Sequence, residues 1–225
     1  MPRMTRLAER PRSPQGHWEE FDPGRDHRFR ELLSDTAWAR LPPAIRNRFS
    51  MSLAGGATAV YVGAVSSVSI TPAGRLLTHI GSLLGMRLPL GLEAAVPVAV
   101  VMTEDIATGG QIWTRVCFGR RGFPSVVSSS VRFQGPTGLE EYIGRGIGIA
   151  LAASVEDSAL VLRSERYVLH VRGRRLRLPS GLTPGRLTVT HTETGGGSFE
   201  VCVEIAHPLL GAWMRQAAVF REARP

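Results

Sequence analysis

Hydrophobic residues recur at helical spacing in the first part of the chain. The segment 29–41 predicts one helix, which Pro42 ends, and Pro43 suits the first turn of a short second helix. The segment Ala73–Met86 predicts the clearest amphipathic helix. Its apolar stripe consists of Leu76, Leu77, Ile80, Leu83 and Leu84.

After Pro89 the pattern changes to short runs rich in β-branched and aromatic residues, separated by turns that contain glycine. Short turns favour antiparallel neighbours, since parallel strands need a long crossover. We therefore expect an α+β fold with a long antiparallel sheet, barrel-like or strongly curled, short N-terminal helices and one amphipathic helix. The predicted strands are Thr58–Ile70, Pro97–Thr103, Gln111–Phe118, Phe123–Phe133, Glu141–Val155, Ala159–Arg172, Arg174–Leu178, Arg186–Thr194 and Phe199–Ala206.

The length and composition fit one domain. A chain of 225 residues with 43% hydrophobic residues can bury a full core. Residues 1–23 are rich in Pro and Arg and lack periodicity, so we expect a flexible tail there and a single α+β domain over residues 24–225. The sequence has neither an apolar run long enough to span a membrane nor the apolar core of a signal peptide, which predicts a cytoplasmic protein.

The net charge of +8 comes from arginine alone, because the chain has no lysine. A Schiff-base lysine and a phosphate-binding P-loop are therefore excluded. The turn Arg172–Arg177 concentrates this charge and has two interpretations. It is either a solvated sheet edge, or a site for an anion, an acidic membrane surface or nucleic acid. Nucleic acid is the least expected, since only Tyr167 offers a ring for base stacking nearby.

The predicted strand Glu141–Val155 keeps one of its two faces small. Glycine within a strand costs backbone entropy and contributes no packing, so the pattern needs a reason. Either a helix packs closely there or the sheet bends sharply, or the small face lines a cavity that holds a ligand. The small face reads Tyr142, Gly144, Gly146, Gly148, Ala150, Ala152 and Ser154.

A hairpin turn at Gly195–Gly197 would fix the pairing of two strands. Counting outward from this turn pairs Glu193 with Phe199 and His191 with Val201. The side chain of His191 shares its face with apolar neighbours, so we expect it to point inward.

The interior of such a sheet is a common ligand site, and we expect an apolar or amphipathic small molecule there. The candidate ligand-binding residues are Trp113, Arg115, Tyr142, Gly144, Arg145, Gly146, Gly148 and His191.

A cofactor-free isomerase, cyclase or hydrolase in the same cavity is the alternative, with His191 or Glu140 as the base. Glu140 and Glu141 cannot act as a pair, because adjacent residues on a strand point to opposite faces. We identify no catalytic residue. We expect no cofactor and no metal, since the histidines and cysteines form none of the usual ligand motifs. Cys117 and Cys202 lie in apolar runs and are expected to be free thiols.

Four sequence blocks resemble a bacterial family called domain of unknown function DUF4166. They are Trp38–Phe49, Phe133–Tyr142, Leu187–His191 and His207–Gly211, and the likeness extends over residues 29–220. The resemblance implies no known reaction. It does imply that such domains occur alone or behind a saccharopine-dehydrogenase-like nucleotide-binding domain. This chain lacks that domain, so redox activity is not implied, and a separate dehydrogenase-type protein is a candidate partner.

Overall fold

The protein folds into a closed barrel of ten antiparallel strands, which confirms the predicted α+β class and the barrel-like sheet. The structure is a computed structural model that describes residues 24–83, 94–119, 123–144, 146–172 and 174–223. The predicted tail at residues 1–23 lies outside the described residues.

Three short helices precede the first strand: α1 (Arg28–Glu31), α2 (Asp35–Arg40) and α3 (Pro43–Phe49). The sequence predicted one helix over 29–41, and the structure divides it because Ser34 begins a new helix as an N-cap. Its side chain accepts a hydrogen bond of 3.2 Å from the amide of Ala37. The amphipathic helix α4 (Pro72–Leu83) begins one residue earlier than predicted. The end predicted for it at Met86 lies outside the described residues.

Eleven strands are present in the described part of the chain, and all of their pairings are antiparallel, as the short turns predict. Most lie within a few residues of their predicted positions. They are β1 (Ala59–Ile70), β2 (Pro97–Asp105), β3 (Gly110–Cys117), β4 (Ser125–Arg132), β5 (Glu140–Tyr142), β6 (Ile147–Glu156), β7 (Ala159–Val171), β8 (Arg174–Arg177), β9 (Arg186–Gly195), β10 (Ser198–His207) and β11 (Gly211–Glu222).

The barrel closes through β11, a strand that the sequence pattern did not predict. β11 lies between β10 and β1, and so joins the end of the chain to the first strand. Its residues include Ala, Met, Gln, Arg and Glu, which favour helix locally, but pairing on both edges overrides this preference. The ring is completed where β7 pairs with β6 on one edge and β9 on the other. β8 pairs with the far end of β7 and adds a short strand outside the ring.

The prediction of one uninterrupted strand over Glu141–Val155 is wrong, because a turn separates β5 from β6. Gly144 and Gly146 adopt left-handed backbone conformations, with φ of 107° and 79°. The carbonyl of Gly144 accepts a hydrogen bond of 2.9 Å from the amide of Ile147. A Cβ atom on Gly146 would lie 2.5 Å from the carbonyl oxygen of His170. The two glycines therefore serve a bend and a close backbone contact.

The two ends of the barrel are covered differently. Helices α1 to α3 pack across one end, where the rings of Phe29 and Phe49 meet edge to face at 4.9 Å. At the other end, the indole nitrogen of Trp213 donates a hydrogen bond of 2.8 Å to the carbonyl of Pro184. This bond anchors the segment 179–185 beside α4. Cys117 is buried and Cys202 is half-buried, and neither forms a disulfide bond among the described residues.

Candidate functional site

The barrel encloses a cavity of about 310 Å³. Strand alternation explains its lining, because every second residue of each strand faces inward. Most of the lining is apolar. The strand residues that contribute apolar side chains include Val100, Met102, Val127, Ile149, Leu162, Leu187, Val189, Val201, Val203 and Ile205.

The cavity is closed by buried side chains at the helix-covered end and extends toward the other end of the barrel. Phe29 and Phe49 line the closed end. At the opposite end the lining comes from α4, through Leu77, and from the segment 181–184. Leu182 in that segment lines the cavity although it is 73% exposed.

Arg115 and Glu141 form an ion pair within the cavity wall. Nη2 of Arg115 lies 3.2 Å from Oε1 of Glu141, and Nη1 donates a hydrogen bond of 2.9 Å to the hydroxyl of Ser129. The two side chains are only 14% and 12% exposed. The alternation predicted for the adjacent carboxylates is confirmed, because Glu141 faces the cavity whereas Glu140 does not.

His191 lies where the predicted hairpin register places it, opposite Val201. It is 5% exposed and lines the cavity, and its ring meets the edge of Phe49 at 5.0 Å. Neither ring nitrogen has a hydrogen-bond partner among the described residues. Burial, together with the nearby charges of Arg48 and Arg115, lowers the pKa of His191 to about 3. The imidazole is therefore neutral at pH 7.

Arg48 is a polar residue of the cavity that the sequence analysis did not identify. It projects from α3, and its guanidinium lies 3.4 Å from the ring centroid of Phe199. Nη2 is 3.5 Å from a carboxylate oxygen of Glu193, and Nη1 has no hydrogen-bond partner in the described part of the chain. Burial also lowers the pKa of Arg48. The sequence offered no signal for this position, because only the docking of α3 turns the side chain inward.

Trp113, Arg115 and His191 are the predicted ligand contacts that the structure brings to the cavity. Trp113 is held by a hydrogen bond of 3.0 Å from its indole nitrogen to Oε1 of Gln111. Arg145 lies outside the described residues. The four remaining predicted contacts, Tyr142, Gly144, Gly146 and Gly148, are absent from the described lining.

Tyr142 and Gly148 lie on the outer face of the barrel, so the small face does not line the cavity, which corrects that interpretation. A Cβ on Gly148 would meet the ring of Tyr142 at 3.1 Å. The hydroxyl of Tyr142 donates to Glu140 at 2.9 Å and lies 3.1 Å from Nε2 of His170. Glu140 is fully buried in this outer cluster, where it also binds Arg175. Close packing and the turn account for the small residues.

The arginine-rich turn lies on the surface, as its sequence suggests. All four residues of β8 are exposed, and Arg172 has a left-handed backbone conformation with φ of 49°. Arg175 is engaged by Glu140. In the residues that the structure describes, no group of three or more His, Cys, Asp and Glu is arranged to hold a metal ion. None of the described helices has the length and apolar character needed to cross a membrane.

A comparison with known protein families matches this chain to one family model. A family model described as "Domain of unknown function (DUF4166)" matches residues 41–220. The matched region begins just before α3 and ends within β11, so it includes Arg48, Arg115, Glu141 and His191. The comparison with curated proteins gave no match.

Proposed function

The chain belongs to the family Domain of unknown function (DUF4166), and from the geometry of its barrel we propose that it binds an apolar or amphipathic small molecule in the interior. The cavity carries this proposal. Its volume of about 310 Å³ is at the lower end of the range typical of small-molecule sites. Its wall is largely apolar with a few fixed polar groups, which is the usual composition of such sites.

The groups in the cavity favour binding over catalysis. A general base needs a second polar group within hydrogen-bond reach, to orient it or to share the proton. His191 has no such partner among the described residues, and Glu141 is held by Arg115. Glu140, the other candidate base, is buried outside the cavity. A cytoplasmic location and a dehydrogenase-type partner stay predictions from the sequence.

Native mass spectrometry of the purified protein, followed by extraction of the bound material, tests this proposal. We expect a small molecule to add mass to the wild-type protein and to be absent from Val201→Trp. Val201 lines the cavity opposite His191, so an indole there would fill the space. Val219→Trp is the matched control, because Val219 is an exposed position of β11.

The two variants also define the contrary result. An added mass that persists on Val201→Trp, with circular dichroism showing both variants folded, would place the small molecule elsewhere and contradict interior binding.

A further inference from the structure

Arg48 and His191 form a second polar feature of the cavity, apart from the Arg115–Glu141 pair. Both side chains line the cavity. The His191 ring contacts Phe49, the neighbour of Arg48 in α3. The Arg48 guanidinium stacks on Phe199, which shares a strand face with Val201, the residue opposite His191.

Three nitrogens of these two side chains are buried and lack hydrogen-bond partners in the described part of the chain. Nη1 of Arg48 and both nitrogens of His191 have none among the described residues. Buried polar groups are normally satisfied, so these atoms call for an explanation. Arg115 differs, because its two terminal nitrogens already contact Ser129 and Glu141. Arg48 therefore carries, at Nη1, a hydrogen-bond donor that no described residue uses.

We propose that the ligand is a single-chain carboxylate, whose head group binds Nη1 of Arg48 and a ring N–H of His191. This inference rests on the proposed function. A neutral imidazole offers one N–H donor, and Nη1 of Arg48 offers another. Two donors suit the two oxygens of a carboxylate, and the cationic guanidinium favours an anion over a neutral group. Glu193 does not fill this role, since it approaches Nη2 only to 3.5 Å.

The position of this polar site sets the direction of the ligand. Phe29 and Phe49 close the cavity beside it. From His191, the inward faces of β9 and β10 continue through apolar residues toward the opposite end of the barrel, where α4 lies. These residues are Val189, Leu187, Val203 and Ile205. A carboxylate head would therefore lie deepest, and its hydrocarbon chain would extend toward α4.

Displacement of a neutral dye tests the head group separately from interior binding. N-phenylnaphthylamine is bound to the wild-type protein and displaced with dodecanoate or with dodecanol, which have the same chain length. We expect dodecanoate to displace the dye at a concentration about 10-fold to 100-fold lower, as charge-assisted hydrogen bonds require. In Arg48→Gln this preference should fall to about onefold to threefold, because dodecanoate loses its cationic partner. Arg40→Gln is the control, because it removes an exposed arginine from α2.

The outcomes separate the two proposals. A dye that binds and is displaced equally by both compounds, or a preference that persists in Arg48→Gln, would overturn the carboxylate site and leave interior binding standing. A dye that does not bind the wild-type protein would overturn both. His191→Phe provides a second variant should Arg48→Gln fail to fold, and it should weaken the preference for dodecanoate, because the carboxylate loses one of its two donors.

Discussion

Replacing Glu141 by leucine is expected to lower the free energy of unfolding by about 3 kcal/mol. The cause is the guanidinium of Arg115, which would remain inside the barrel wall without its counter-ion. Ser129 would still accept one of its hydrogen bonds, but a hydroxyl does not balance a buried charge. Urea unfolding followed by circular dichroism measures the change.

A double-mutant cycle isolates the ion pair from other effects of the substitution. Arg115→Met alone should also destabilise the protein, because it leaves the Glu141 carboxylate unpaired. The combined variant Glu141→Leu with Arg115→Met should recover most of the loss, since neither charge remains. Glu156→Leu is the control, because Glu156 and Arg163 form an exposed pair whose removal should have a far smaller effect. Additive losses in the combined variant would show that the two side chains are not coupled.

Acidification is expected to destabilise the ligand-free protein through His191, before the carboxylates titrate. The unfolded chain takes up a proton on this histidine below its ordinary pKa of 6.5, whereas the folded protein does not until about 3. The unfolded state thus binds more protons in this window, and stability falls as the pH falls. Between pH 6.5 and about pH 5, His191 lowers the free energy of unfolding with a slope that approaches about 1.4 kcal/mol per pH unit.

His191→Phe should remove this part of the pH dependence. Phenylalanine keeps the edge-to-face contact with Phe49 but has no nitrogen to protonate or to leave unpaired. At pH 7 the variant should be more stable than the wild type by about 1 kcal/mol, because an unsatisfied buried group is lost. His27→Phe makes the same change at an exposed histidine and is the control. If the free energy of unfolding depends on pH in His191→Phe as it does in the wild type, the imidazole of His191 is not buried and neutral.

The sequence predicted those features of the site that follow from strand alternation and turn length. The glycine turn at Gly195–Gly197 fixed the register of β9 and β10, and therefore the inward position of His191. Strand alternation also predicted that the side chains of Glu140 and Glu141 point to opposite faces of the sheet. Trp113 and Arg115 face the cavity on β3 for the same reason, being two residues apart.

The features that were missed depend on long-range packing or on backbone conformation. Gly144 and Gly146 look like strand residues in sequence, but their left-handed conformations form a turn. This turn and the packing of Gly148 against Tyr142 place the small residues outside the cavity. β11 is a strand because it pairs on both edges, although its composition favours helix. Arg48 faces inward only because α3 packs across the end of the barrel.

The measurement that tests interior binding most directly is a fluorescence titration of N-phenylnaphthylamine into the wild-type protein and two tryptophan variants. We expect saturable binding to the wild type and to Val219→Trp, and loss of binding in Val201→Trp, in which the cavity is filled. Equal binding to Val201→Trp and Val219→Trp, or no binding to the wild type, would contradict it.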